Sequence, residues 1–314
     1  MATYKGIQGY SVQKLSDDPT ASEAAGQLWY NSTSGAFKIS TEGAGAWASS
    51  ATMNTATYGG RGIGTTTALV GAGGDGSDDK NTETYNGTAW TTETALNTGH
   101  YIAGSFGASS TSAMMASGYD APINVVDVEE WNGSAWTEKA NVNTARRGGG
   151  GAGIVTAGLL FGGYSTGIVA ICESWNGSAW TETADLNTAQ EDIFQGIGTQ
   201  TASQCVGPPT ENETFNGTSW SEQAAINAAG NTGGGSGTST DSLIFAGGPG
   251  TPTRCEKWDG TSWTELADVA TAKQRIGSTS TTSTSALKFE GKPATAATEE
   301  WSEPVYTIKT VTVS

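Results

Sequence analysis

Catalysis by side chains needs groups that exchange protons or hold metals, and this sequence is poor in the most useful of them. His100 is the only histidine in 314 residues, so a Ser/His/Asp set would have to be built around that one position. The five arginines (Arg61, Arg146, Arg147, Arg254, Arg275) are scattered along the chain. No Gly-Lys-Ser/Thr phosphate loop occurs. Three cysteines are an odd number without metal-ligand spacing, which indicates neither a disulfide framework nor a zinc site. Asp75, Asp78 and Asp79 offer carboxylates, but their spacing does not complete a calcium loop. No cofactor, no metal and no enzymatic activity is therefore expected.

The net charge of −16 argues against nucleic acid and anionic membrane as partners, because each phosphate contact needs a cation. There is no apolar run long enough for a spanning helix. The opening residues lack a secretory apolar stretch. Folding in a cytoplasm is the expectation. Glycine, at 45 residues, is about twice its usual share of ~7%. Eleven tryptophans are too many for a disordered chain.

The tryptophans recur. Glu129-Glu-Trp-Asn-Gly-Ser-Ala-Trp136 returns as Glu173-Ser-Trp-Asn-Gly-Ser-Ala-Trp180. Looser copies run Glu83 to Trp90, Glu213 to Trp220 and Glu256 to Trp263, and a degenerate one is Glu299-Glu-Trp301. The leading aromatics, at 85, 131, 175, 215, 258 and 301, lie 46, 44, 40, 43 and 43 residues apart. Such a period points to propeller blades, here six. Asn-Gly between aromatic runs predicts a type I′ hairpin with positive φ at both residues. Upstream lie an apolar strand ending in glycines (Leu159-Leu-Phe-Gly-Gly163) and a glycine-rich strand (Gly148 to Ile154). The expected fold is all-β: a six-bladed propeller of four-stranded blades, bare inside and padded by tryptophan outside. The last repeat lacks its second Trp, and Trp47 in Gly43-Ala-Gly-Ala-Trp47 is spare. An N-terminal strand is expected to complete that blade and close the ring.

The double glycine, the aromatic on the third strand and the Trp on the fourth resemble the kelch family of propellers over residues 48–303. The repeats are shorter than the usual kelch length of about 50, and the double glycine is altered at Ala116-Ser-Gly118, Val206-Gly207 and Glu290-Gly291. Kelch-like enzymes with a copper site need more than one histidine, which this chain lacks.

Domain boundaries are expected at 1–42 (an arm with a hairpin around Asn31–Gly35), 43–303 (the propeller) and 304–314 (a β-rich tail). The repeated Glu83, Glu129, Glu173, Glu213, Glu256 and Glu299 are read as structural hydrogen-bond acceptors. Trp90, Trp136, Trp180, Trp220 and Trp263 are read as packing. Cys172 and Cys255 are read as small buried fillers. The positions that vary after Asn-Thr-Ala, together with the loops between second and third strands, define an expected ligand or receptor face. It comprises Tyr58, His100, Tyr101, Arg146, Arg147, Gln190, Asn231 and Lys273, with Tyr119 and Tyr164.

Met1-Ala-Thr-Tyr-Lys-Gly-Ile-Gln-Gly-Tyr, followed by Gly26 to Gly35 and the Trp-Asn-Gly-Ser-x-Trp repeats, resembles virion proteins of tailed phages, marine cyanophage-like ones above all. The resemblance implies a non-enzymatic structural protein of a tail, baseplate or fibre, assembled in the host cytoplasm. Its arm and C-terminal strand would then contact other virion proteins in a symmetric oligomer, with no membrane insertion, and the propeller would meet a host-surface glycan or protein. The alternative is a free, lectin-like carbohydrate-binding propeller using the face tyrosines.

Overall fold

A computed structural model describes the chain except residues 1–11, 44, 76–79, 249–252, 280, 304–305 and 313–314. The Asp78 and Asp79 of the calcium reading, and the Met1–Tyr10 opening, lie outside the described residues. Among the described residues the structure is all β, with seven four-stranded sheets and a two-stranded ribbon, Tyr119–Asp120 with Ile123–Asn124. The chain divides into two units, Trp47–Ser302 and the joined ends Met1–Ala46 with Glu303–Ser314.

The larger unit carries six of the four-stranded sheets. The first is Gly60–Thr65, Ala68–Gly73, Thr82–Tyr85 and Trp90–Thr92; the second is Gly104–Ser109, Ser112–Ala116, Val128–Trp131 and Trp136–Glu138. The third is Gly150–Ile154, Ala157–Phe161, Cys172–Trp175 and Trp180–Glu182; the fourth is Ile197–Thr199, Ala202–Gly207, Glu211–Phe215 and Trp220–Glu222. The fifth is Gly234–Thr238, Asp241–Phe245, Cys255–Trp258 and Trp263–Glu265. The sixth takes Gly277–Ser278, Ser285–Phe289 and Thr298–Ser302 from the end of the repeats, and Ala46–Ser49 from before them.

Residue size grades each sheet. First strands of successive sheets lie side by side, so glycine fills them where backbones nearly touch. A Cβ on Gly62 would stand 2.1 Å from the Ser278 carbonyl oxygen, and one on Gly196 2.1 Å from that of Gly151. Third and fourth strands are held by aromatic pairs whose residues face one another in register: Tyr85 with Trp90, Trp131 with Trp136, Trp175 with Trp180, Phe215 with Trp220 and Trp258 with Trp263. Their ring centroids are 5.1–5.4 Å apart, a separation at which tilted rings attract beyond their buried area. In the sixth sheet Trp47 supplies the missing partner, 5.8 Å from Trp301 and 4.7 Å from Phe245.

The hairpin turns correct one expectation. Only the glycine has positive φ (Gly87, Gly133, Gly177, Gly217 and Gly260, all near 92–95°) and the preceding Asn or Asp does not, so these are not type I′ turns. The reason is local: the Asn132 side-chain oxygen accepts from the N–H groups of Ser134 and Ala135, each at 3.0 Å. An Asx turn of this kind supplies the bend without left-handed asparagine.

The smaller unit is a sheet in the order Gln13–Leu15, Leu28–Asn31, Ala36–Glu42, Tyr306–Thr310, in which the first pair is parallel and the others antiparallel. The chain's two end segments thus pair with each other. Segment 16–26 covers one face: the Asp18 carboxylate accepts from the Trp29 indole at 2.9 Å and the Asn31 amide at 2.7 Å. These bonds hold the Asp18 carboxyl below its ordinary value. Trp29 is buried beneath them.

Candidate functional site

The six repeated glutamates are buried, and each carboxylate grips the backbone of the connector that enters its own sheet from the preceding one. Glu83 accepts from the N–H of Asn54 and Thr55, Glu129 from Asn97 and Thr98, and Glu173 from Asn143 and Thr144. Glu213 takes Asn187 and Thr188, Glu256 takes Asn227 and Ala228, and Glu299 takes Ala270 and Thr271. These twelve bonds span 2.7–3.3 Å. Tryptophans on the fourth strands reach the same way. Trp90, Trp180, Trp220 and Trp263 donate to the carbonyls of Ala51, Ala140, Ala184 and Ala224, and Trp136 donates to Thr82 Oγ1.

Two glutamates also face a buried cation, and a third faces a buried imidazole. Arg146 Nη1 lies 2.6 Å from Glu173, Lys288 Nζ 2.8 Å from Glu299, and His100 Nε2 3.4 Å from Glu129. The last is too long for a well-formed hydrogen bond. Burial alone would raise the Glu129 carboxyl, but His100 and the N–H groups of Asn97 and Thr98 outweigh it and hold it low.

This geometry divides the expected face. His100, Arg146 and Gln190 are turned inwards, at 0%, 1% and 1% exposure, and are not available to a ligand. Of the residues that follow them, Arg147 and Glu191 are half-buried, whereas Tyr101 is itself buried at 8% exposure. Tyr101 and Arg147 form bridges with Tyr119 and Tyr164 respectively. Asn231 and Lys273 are partly exposed but do not line the same cavity.

Tyr101, Tyr119 and Arg147 do meet. With Ile102, Glu191, Asp192 and Arg275 they line a cavity of about 300 Å³ at the N-terminal ends of the first strands. The Arg147 guanidinium lies between the rings of Tyr119 and Tyr164, 5.1 and 4.7 Å from their centroids, and donates to Asn124 Oδ1 at 3.0 Å. Arg275 donates to the Tyr101 hydroxyl and sits 5.5 Å over its ring. Burial pushes the Tyr101 phenol up to about 12. Burial and the neighbouring Asp192 raise the Glu191 carboxyl. Tyr58 stands edge-on to Tyr101 at 5.9 Å, donates to Asp75, and lies under Lys292. Cations, carboxylates and tyrosine faces together suit a small polar ligand bearing hydroxyl or charged groups.

Below this cavity the backbone makes a cycle. Ile102 N–H donates to Gly59 O, Gly148 to Ile102, Ile193 to Gly148, Thr232 to Asp192, Arg275 to Thr232, and Gly59 to Arg275, at 2.7–3.1 Å. Gly59, Ile102, Gly148, Asp192, Thr232 and Arg275 all have φ between 43° and 80°. The left-handed region is strained for side chains such as Ile and Thr. Ile102, Asp192 and Arg275 are the cavity residues that sequence reasoning missed. The available signal was position: each immediately follows the second residue of its variable pair, as Gly59 and Gly148 follow Tyr58 and Arg147.

Deeper still, the buried Gln195 donates to Gly62 O, and its Oε1 accepts from Ser278 N–H at 3.2 Å and Ser278 Oγ at 3.0 Å. It joins the fourth sheet's entry to the first strands of the first and sixth sheets. The first strands of the second to fifth sheets, with Thr281, line a second cavity of about 250 Å³, mostly of glycine and alanine with Phe106 and Ile154.

Compared with known proteins, the chain matches no family model and no curated protein sequence.

Proposed function

We propose that the protein is a non-enzymatic structural component of a tailed-phage particle, in its tail, baseplate or a fibre. In this reading the six sheets of the larger unit are the blades of a closed, kelch-like propeller, the cavity end of the blades recognises a host-surface ligand, and the terminal unit is the assembly module. The observation that carries the propeller is the cycle of six backbone bonds, whose last donor, Gly59, returns to Arg275. A row of sheets with two free ends leaves that bond without a counterpart. The strand Ala46–Ser49 in the sixth sheet supports the same reading, since it ties the start of the repeats to their end.

The particle assignment draws on the likeness of the chain's opening and repeats to virion proteins. Mass spectrometry of purified particles of the encoding phage tests it: peptides of this chain at a fixed ratio to other tail proteins are expected, and their absence overturns the reading. A free lectin-like propeller is the second reading, favoured by the two tyrosines and two carboxylates lining the 300 Å³ cavity. Glycan-array binding that Tyr119→Ala or Arg147→Ala abolishes, together with absence from the particle, selects it.

A further inference from the structure

A sheet covered on one face is half of a sandwich, and its bare face must be apolar to be worth covering. In the terminal unit segment 16–26 covers the face that holds Trp29 and Asn31. Across the opposite face, register places side chains in two rows. One is Lys14, Tyr30, Phe37 and Val311: Lys14 pairs with Tyr30, Tyr30 with Phe37, and the Val311 N–H donates to Phe37 O at 2.9 Å, extending the last register. The other is Leu28, Ile39 and Lys309, with Val12 next to the residue that pairs with Trp29. Among the described residues, seven large apolar side chains are strongly exposed. Four of these stand on this face: Val12 at 44%, Leu28 at 43%, Phe37 at 44% and Val311 at 41%. The charges in the two rows are Lys14 and Lys309.

We propose that two copies of the chain associate through this face, sheet on sheet, about a two-fold axis parallel to the strands. Such an axis lays each row on its own reverse. Lys14 of one copy then meets Val311 of the other, Lys309 meets Val12, Tyr30 meets Phe37, and Leu28 meets Ile39. No lysine opposes a lysine. Each lysine stem covers a valine while its ammonium stays at the border, in water. The rows are therefore self-complementary, which is what an isologous contact requires. Four strands about 4.8 Å apart give a face of roughly 300 Å² per copy, about 600 Å² in total and below the standard size of a stable interface, so the dimer is weak and reversible. The inference specifies the assembly role proposed for the terminal unit and is independent of any ligand at the cavity end.

Sedimentation velocity on the full chain tests it between about 1 and about 100 µM, the range in which small interfaces dissociate. A concentration-dependent shift from monomer to dimer is expected. Phe37→Lys should weaken it by at least about tenfold, and Ile123→Lys, an exposed apolar site of the larger unit, should leave it unchanged. Val311→Glu faces the other copy's Lys14 and should dimerise more tightly than Val311→Lys, with the difference shrinking in high salt. A chain that stays monomeric throughout overturns the proposal. So does equal behaviour of the two Val311 variants, or a Phe37→Lys variant that dimerises like the parent. Loss of the dimer with particle incorporation or glycan binding retained would separate this inference from the functional reading above.

Discussion

A carboxylate serves in this chain where it has backbone N–H groups to receive, and each repeated glutamate has two. Glu290 has less. It follows the strand Ser285–Phe289 with φ of 52°, is 1% exposed, and its Oε1 lacks a hydrogen-bond partner. Burial pushes its carboxyl up to about 8, against the pull of the Gly60 N–H and the Arg61 guanidinium. Arg61 is itself lowered to about 10 by burial. A carboxyl whose folded value lies above its unfolded value of about 4.5 binds its proton more tightly when folded. Its contribution is full below about 4.5 and is lost as pH rises towards 8. Glu290→Gln keeps the shape without the proton, so its melting temperature should exceed that of the parent by a margin that widens from pH 4.5 to 8. Parallel curves in thermal melts over that range would show that Glu290 is ionised at no cost.

At the scale of elements, the sixth sheet is completed from a distance. Ala46–Ser49 supplies its outer strand, and Trp47 packs on Trp301 and Phe245. Removing residues 1–50 strips that strand, leaves Trp301 uncovered, and exposes an edge that can pair with other chains. Circular dichroism of the shortened chain should show loss of the cooperative melt, or aggregation; a parent-like melting temperature would mean the strand is dispensable. This strand was legible in the sequence because a missing Trp in one repeat and a spare Trp upstream are visible as a count. So were the four strands per repeat, through the graded runs of glycine, aliphatic and aromatic residues. The turn type was not legible, since Asn-Gly serves equally a type I′ turn and an Asx turn with only glycine left-handed. The candidate face was half legible. Variable pairs marked the connectors, but the first members His100, Arg146 and Gln190 turn inwards, and His100 and Arg146 read as surface positions until their glutamates are seen beside them. Ile102, Asp192 and Arg275 escaped because nothing in their residue types announces a left-handed backbone.

For the molecule as a whole, the cycle of backbone bonds has a consequence that separates a ring from a row. In a row of stacked sheets the end members fray first, and their amides exchange through local opening. In the proposed ring no member is terminal, so breaking one inter-sheet bond would leave its sheet held from the other side and by its glutamate. Opening any of the six then requires loosening several sheets together, at a free energy near that of global unfolding. Native-state hydrogen exchange of the Gly59, Ile102, Gly148, Ile193, Thr232 and Arg275 amides should therefore give protection factors within about tenfold of one another, a spread of about 1.4 kcal/mol. The decisive pair is Gly59 and Arg275, which join the two ends of the repeat array. If their amides exchange orders of magnitude faster than those of Gly148 and Thr232, the six sheets behave as an open stack, and the cavity bounded by Tyr101, Asp192 and Arg275 would lose the frame that holds its residues together.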